Sequence, residues 1–179
     1  MTTKPVKIAL IGHMRSGKDT VAGLIAEELA PATTSIVGLA DELKYLAGLP
    51  GYPRTRELHQ KLGAAVRAAY PEFWIDTLLT RCRGLGGNIV VKDVRYWNEV
   101  VSLEQAGYFP VVIECPRDTL FQRSGDTVAE FNRAMGHLSE IEVEEIIRAY
   151  EHYVIHNGPE ESFDGLRQQV KDMLSVVTV

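Results

Sequence analysis

Apolar residues in this chain fall alternately into short continuous runs and helical stripes. Residues 6–11 form an apolar-rich run bounded by Pro5 and Gly12, the pattern of a buried strand. Beyond a glycine loop, Val21, Leu24, Ile25 and Leu29 recur at helical spacing, so a helix opens near Lys18 and ends before Pro31. "TTSIVGLA" predicts a second strand, "DELKYLAG" a helix stopped by Gly48, and "LPGYPRT" a turn-rich loop. Residues 56–69 and 72–83 predict two helices separated by Pro71. "NIVVKDV" reads as a third strand, residues 98–105 as a helix ending at Gly107, and "YFPVVIECP" as a fourth strand. Residues 117–136 are polar and broken by Gly125; residues 139–150 are helical, "YVIHNG" is a short fifth strand, and residues 161–176 form a last helix.

Strands alternating with helices imply a parallel sheet covered on both faces. The expectation is a three-layer α/β/α domain spanning residues 1–179, with about five parallel strands. Composition adds little: 45% hydrophobic and 24% charged residues are ordinary for a globular protein. The net charge of -5 argues against broad binding to a nucleic-acid polymer, which needs a basic face. The two cysteines, Cys82 and Cys115, have no metal or redox spacing and read as reduced thiols. No apolar stretch reaches membrane-spanning length, and the N-terminal run leads straight into the glycine loop, so a cytoplasmic location is expected.

Chemistry enters at "GHMRSGKDT". Gly12, Gly17 and Lys18 match a phosphate-binding loop, and the loop follows a strand and opens a helix, the context that gives the motif its meaning. Backbone N–H groups of such a loop form an anion nest, to which the helix adds its positive end. A loop of this kind usually places a hydroxyl directly after the lysine to ligate magnesium. Here Asp19 stands there and Thr20 follows one position late. Asp19 can hold a hydrated magnesium ion through its waters, while Thr20 reaches toward the α-phosphate. As a plain structural residue, Asp19 is simply favourable in a helix's first turn.

Asp93 closes the apolar strand "NIVVKD" at the carboxyl edge of the sheet, where ligands bind, and is the natural second partner for magnesium. Arg95, two residues on in extended chain, faces the same pocket. The segment from Lys44 to Arg67 also carries Arg54, Arg56 and Lys61, enough cations for a phosphorylated acceptor. Arg54 and Lys61 read as surface residues, Arg67 and Arg95 as the phosphate contacts. Trp74 and Tyr70 are candidates to stack on a base, although aromatic residues at helical spacing more often pack in a core. The stretch from Arg117 to His137, with Arg123 and Arg133, fits a lid bringing arginines to the transferring phosphoryl group, or equally an ordinary helical hairpin. His137 reads as structural, beside a Ser139 helix cap, and Glu140 with residues 142–145 as a solvated helix face.

"RSGKDT", "LADELK", "LHQKLGAAVR", "FWIDTLL", "KDVRYWNEV", "GHLSE" and "HNGPEESFDGLRQQV" occur in this order, and together they resemble the phage-type deoxynucleoside monophosphate kinases over nearly the whole chain. The resemblance implies transfer of the γ-phosphate of ATP to a deoxynucleoside 5′-monophosphate, with Mg2+, in the cytoplasm of the host if the gene is phage-borne. It implies an ATP site of Gly12, Arg15, Ser16, Gly17, Lys18, Asp19 and Thr20, with Arg117 and Arg123 from the lid and Asn157 and Gly158 near the adenine. It implies that Lys44, Arg67, Trp74, Asp93, Arg95, Asn98 and Glu99 belong to the acceptor side or support it, with a helical acceptor region at about 41–83 and the lid at about 117–137. Lys18, Asp19, Arg95 and Arg123 would take part in catalysis, and Asp19 and Asp93 would serve the metal. A homodimer is compatible; a membrane partner is not implied. Glu42 and Trp97 depart from the family, standing where prolines are expected.

No general base is required, because a nucleotide's phosphate, with a second pKa of about 6, is already mostly a dianion at neutral pH. An alcohol acceptor would want a carboxylate, for which Asp41 is the candidate. Other readings are a small-molecule kinase of the phosphomevalonate type and a non-catalytic nucleotide-binding regulator.

Overall fold

A computed structural model describes residues 4–47, 55–150 and 153–178. The chain runs β1 (Lys7–Ile11), α1 (Lys18–Glu28), β2 (Thr34–Gly38), α2 (Asp41–Ala47), α3 (Arg56–Ala69), α4 (Phe73–Arg83) and β3 (Asn88–Val94). It continues through α5 (Trp97–Gln105), β4 (Phe109–Glu114), α6 (Arg117–Ser124), α7 (Val128–Met135), α8 (Leu138–Ala149), β5 (Tyr153–His156) and α9 (Phe163–Val177). The predicted loop "LPGYPRT", with Arg54, lies almost wholly outside the described residues.

The five strands form one parallel sheet in the order β2-β3-β1-β4-β5. Side chains alternate across β1. Ile8 and Leu10 pack with α1 and α9 residues such as Leu24, Ile25, Val170 and Met173. Ala9 and Ile11 face the opposite layer, where Ile75 and Leu78 of α4, Val100 and Leu103 of α5 and Ile146 of α8 close over them. A parallel sheet must be covered on both faces, and these two cores provide that cover. A third, small cluster of Met14, Leu120 and Phe131 lies beneath α6 and α7, inside the stretch read as polar.

With β1 central, its carboxyl end opens between the ends of β3 and β4, where a ligand crevice forms in such sheets. Register departs from regularity there: Ala9 pairs with Val91, but Ile11 pairs with Val94, so β3 carries one extra residue. Asp93 takes a left-handed φ of 66° within that bulge. The segment is therefore not the plain extended chain that its apolar run predicts: the bulge, rather than strand alternation, sets where Asp93 lies relative to Arg95.

Candidate active site

The turn from Gly12 to Gly17 leads β1 into α1, with Gly17 as N-cap at a left-handed φ of 98°. A Cβ at Gly12 would lie 2.8 Å from the Ile113 carbonyl, whereas Gly17 is required first by its left-handed φ, a Cβ there also overlapping the Asn157 amide. Lys18 turns its Nζ into the loop, donating to the carbonyls of Gly12 at 2.8 Å and His13 at 2.6 Å. Burial first, and the charge of Arg95 second, lower its pKa to about 8. Ser16 Oγ is buried in the loop with no hydrogen-bond partner. An orphaned hydroxyl and an inward ammonium in a glycine cradle fit a polyphosphate.

Two cavities flank this loop. One, of about 670 Å³, is lined by Gly17, Lys18, Asp19, Thr20, Arg123 and Asn157, with Glu161 to Phe163 at its far side. The other, of about 390 Å³, is walled by Leu39, Leu43 and Lys44, by His59, Gly63 and Arg67 of α3, and by Trp74 and Tyr96. Met14, Arg15, Asp93 and Arg95 line both, so the cavities meet at two arginines and one aspartate.

The α3 wall has helical logic: His59, Gly63 and Arg67 repeat every four residues along one face. Trp74 is buried and donates its indole N–H to the Gly63 carbonyl at 3.3 Å, which makes it a wall rather than a free stacking platform. Tyr70 is exposed, its hydroxyl on Asp76, and lines neither cavity. Arg67 donates to buried Glu99 at 3.1 Å and lies 4.0 Å from the Tyr96 ring centroid. Burial pushes the Glu99 carboxyl up, against the charge of Arg67. Glu99 therefore supports Arg67 from behind; Asn98 binds the Pro71 carbonyl, and neither Asn98 nor Glu99 lines a cavity.

Asp19 pairs with Lys92, whose hydrogen bond lowers the aspartate's pKa, and Asp93 lies 3.5 Å from Lys44. Among the described residues no three His, Cys, Asp or Glu groups gather in the manner of a metal cage. Magnesium fits this donor set nonetheless, since it commonly takes one or two carboxylates and fills its shell with water and substrate phosphates. Arg123 reaches the Asn157 carbonyl oxygen at 3.3 Å on the loop cavity, whereas Arg117 is turned onto Asn132 and the Phe131 ring and lies outside it. Gly158 sits beside Pro116 and lines neither cavity.

A family model described as an AAA domain matches residues 8–148. The chain belongs to the AAA domain family. No curated protein sequence matches it. Among solved structures, it is similar to TT1252 from Thermus thermophilus, at 20% identity over 98% of this chain and 99% of that one, with a TM-score of 0.62. The shikimate kinase from Acinetobacter baumannii in complex with shikimate gives 13% identity, 98% and 94% coverage and a TM-score of 0.60. A gluconokinase from Sinorhizobium meliloti 1021 gives 16%, 97%, 94% and 0.56. The AAA domain thus has the P-loop kinase fold.

Three features of this AAA domain differ from the sequence expectations or escaped them. Glu140 is not solvated: it is 1% exposed, beneath the loop. Its burial tends to raise its pKa, but the His13 bond, the charge of Arg95 and the Met14 N–H outweigh that and hold it at about 2. The acidic run around it on α8 gave no sign that this one carboxylate points inward. His137, not Ser139, caps α8: its ring accepts from the Ser139 N–H at 3.2 Å, because an imidazole nitrogen can serve where a hydroxyl was expected. His59 Nε2 is buried on the cavity wall with no hydrogen-bond partner, and only the step of four to Gly63 and Arg67 hinted at its direction. Of the two family departures, Glu42 pairs with Arg81 at 2.7 Å, and Trp97 donates its N–H to Glu142 at 2.9 Å, a bond that proline at that position lacks.

Proposed function

We propose that this protein is a kinase that transfers the γ-phosphoryl group of ATP to a deoxynucleoside 5′-monophosphate, giving dNDP and ADP. The observation that carries the reading is the pair of cavities meeting at Arg15, Asp93 and Arg95, one over the phosphate loop and one walled by the cations Lys44 and Arg67. An acceptor that brings its own dianion needs such a wall, since two phosphate groups approach only if their charge is neutralised.

In this reading the loop from Gly12 to Thr20 holds the triphosphate, with Lys18 on its outer phosphates, and Asn157 and Arg123 border the nucleoside end. Arg67, Arg95 and Lys44 hold the acceptor's phosphate in line. The helical region at about 41–83 binds the acceptor, and the segment at about 117–137 acts as the lid. Asp19 and Asp93 would hold magnesium, which when bound neutralises phosphate charge. Along α3 the backbone of His59 lies about two turns, roughly 12 Å, before that of Arg67, and in this reading His59 and Gln60 would form the polar edge that meets the acceptor's base.

Transfer to an alcohol of a small metabolite is a second reading with one observation in its favour. Asp93 is the carboxylate at the junction and could accept a hydroxyl proton there. Asp41 is not placed for that role, being held by the Gly38 N–H and Arg81 and lining neither cavity. The test is ADP release from ATP and Mg2+ with the four dNMPs, set against phosphomevalonate, shikimate and gluconate. Turnover with a dNMP supports the first reading; turnover confined to shikimate or gluconate favours the alcohol reading, and turnover confined to phosphomevalonate keeps a phosphate acceptor but overturns the dNMP assignment.

A further inference from the structure

We propose that Glu140 is a positioning residue whose single carboxylate sets the nucleotide loop and the junction arginine relative to one another. The proposal deepens the kinase reading above and rests on it. One carboxylate oxygen, Oε2, accepts from His13 Nδ1 at 3.0 Å and from the Met14 N–H at 3.1 Å, both within the phosphate loop. The other, Oε1, accepts from Arg95 Nη1. Donor loop and acceptor arginine, far apart in sequence and on different strands' ends, thus share one buried side chain.

The rest of the network makes this link stiff. His13 Nε2 reaches Glu144 at 2.9 Å, one turn further along α8, and Glu144 pairs with Arg148 at 2.6 Å. The His13 ring is thus held between two carboxylates of α8, which fixes its plane and with it the turn of the phosphate loop. Arg95 spends one of its five N–H donors on Glu140, and its side chain remains about a quarter exposed and lines both cavities. An arginine held this way has already given up its rotamer freedom before substrate arrives, which is the physical content of preorganisation. Glu140 touches no reacting atom in this scheme; it acts through Arg95 and the loop.

A double-mutant cycle in the full chain tests this, read as kcat/KM for the dNMP at saturating ATP. Glu140→Gln preserves the side chain's shape but removes its charge and aims an amide N–H at donors that now meet a carboxylate oxygen. The expected loss is about 30-fold in the wild-type background and under threefold once Arg95→Ala is present. Glu140→Asp, which keeps the charge, should retain more activity than Glu140→Gln. A residue that merely fills space would give the opposite order, since Asp loses a methylene and Gln does not. Equal losses with and without Arg95, or a near-normal Gln variant beside an impaired Asp variant, overturns the proposal. Should Glu140→Gln not fold, Glu140→Asp carries the same cycle.

A second arm needs no acceptor. In the ligand-free protein, the Arg95 side-chain Nε–H resonance, assigned with Arg95→Lys, should be sharp in wild type and broadened in Glu140→Gln. An unchanged resonance overturns the link. A wild-type chain that phosphorylates no dNMP removes the kinase reading while this arm still decides the Glu140–Arg95 relation; an active chain with an additive cycle removes the proposal and leaves the kinase reading.

Discussion

The side-chain amide of Asn157 donates to the carbonyl of Ser16 at 2.8 Å, tying the end of β5 to the turn of the phosphate loop. Its carbonyl oxygen accepts from Arg123, so one buried amide joins loop, sheet and α6. Asn157→Ala leaves the Ser16 carbonyl unpaired, at a cost of about 1–3 kcal/mol. The ATP KM should rise roughly tenfold with the acceptor KM little changed. Gly17→Ala should be crippled in the same assay, and Asn157→Ala should not rescue it, because the φ of 98° remains after the clash is removed. Full rescue in the double variant would show that crowding alone demands the glycine.

Lys18 gives ATP binding a pH dependence of defined sign. Its pKa of about 8 lies below the ordinary lysine value, so the protonated, phosphate-binding form predominates below pH 8 and is lost as pH rises through it. ATP affinity should fall about tenfold between pH 7 and pH 9, with proton uptake on binding near pH 8.5. Calorimetry in two buffers of different ionisation enthalpy measures both. Lys18→Ala should bind weakly with no such slope, and a wild-type Kd that is flat across this range contradicts the assignment.

Removing Arg67 should cost stability in a pH-dependent way. Glu99 is buried, and burial already raises its carboxyl pKa against the opposing charge of Arg67. Without that charge the pKa rises further. A raised acid loses stability as pH increases through its folded value, so the deficit of Arg67→Ala should be greater at pH 8 than at pH 5. Breaking a buried pair suggests about 3 kcal/mol at pH 8. Urea unfolding at the two pH values decides it: an equal deficit would mean that Glu99 does not depend on Arg67.

His59→Leu separates recognition from stability. The variant removes a buried nitrogen that has no protein partner, so the Tm should stay level or rise. If the acceptor's base supplies the missing partner, its KM should rise by roughly 5- to 20-fold, with the ATP KM unaffected. Steady-state kinetics across the dNMP panel reads this, and unchanged acceptor KM values remove His59 from recognition.

Among the described residues, periodicity located the five strands and every helix but α6 and α7 to within a few positions, because each element's apolar spacing reports the layer it packs against; α6 and α7 bury little apolar surface and lay in a stretch that shows only as polar. The glycine loop was legible because its chemistry is local: Gly12, Gly17 and Lys18 lie within seven residues. Strand order and the bulge at Asp93 were not, since β1 pairs with segments some eighty and a hundred residues away. Glu140 was misread for the same reason. Its partners His13 and Arg95 stand 127 and 45 residues from it, and nothing within α8 distinguishes it from its solvated neighbours. Glu99 could be grouped with the acceptor residues, but that it supports Arg67, and that Glu140 supports Arg95, becomes visible only when the chain is folded.

The central place of β1 has a consequence for the order in which the protein matures on the ribosome. β1 and its loop emerge early, yet neither of the strands that flank β1, β3 and β4, exists until residues 88–94 and 109–114 have been synthesised. The loop's clasp comes later still, with Asn157. A nascent chain halted before that residue carries the complete phosphate-binding motif in an unfastened form, and nucleotide capture should begin only when translation has passed it.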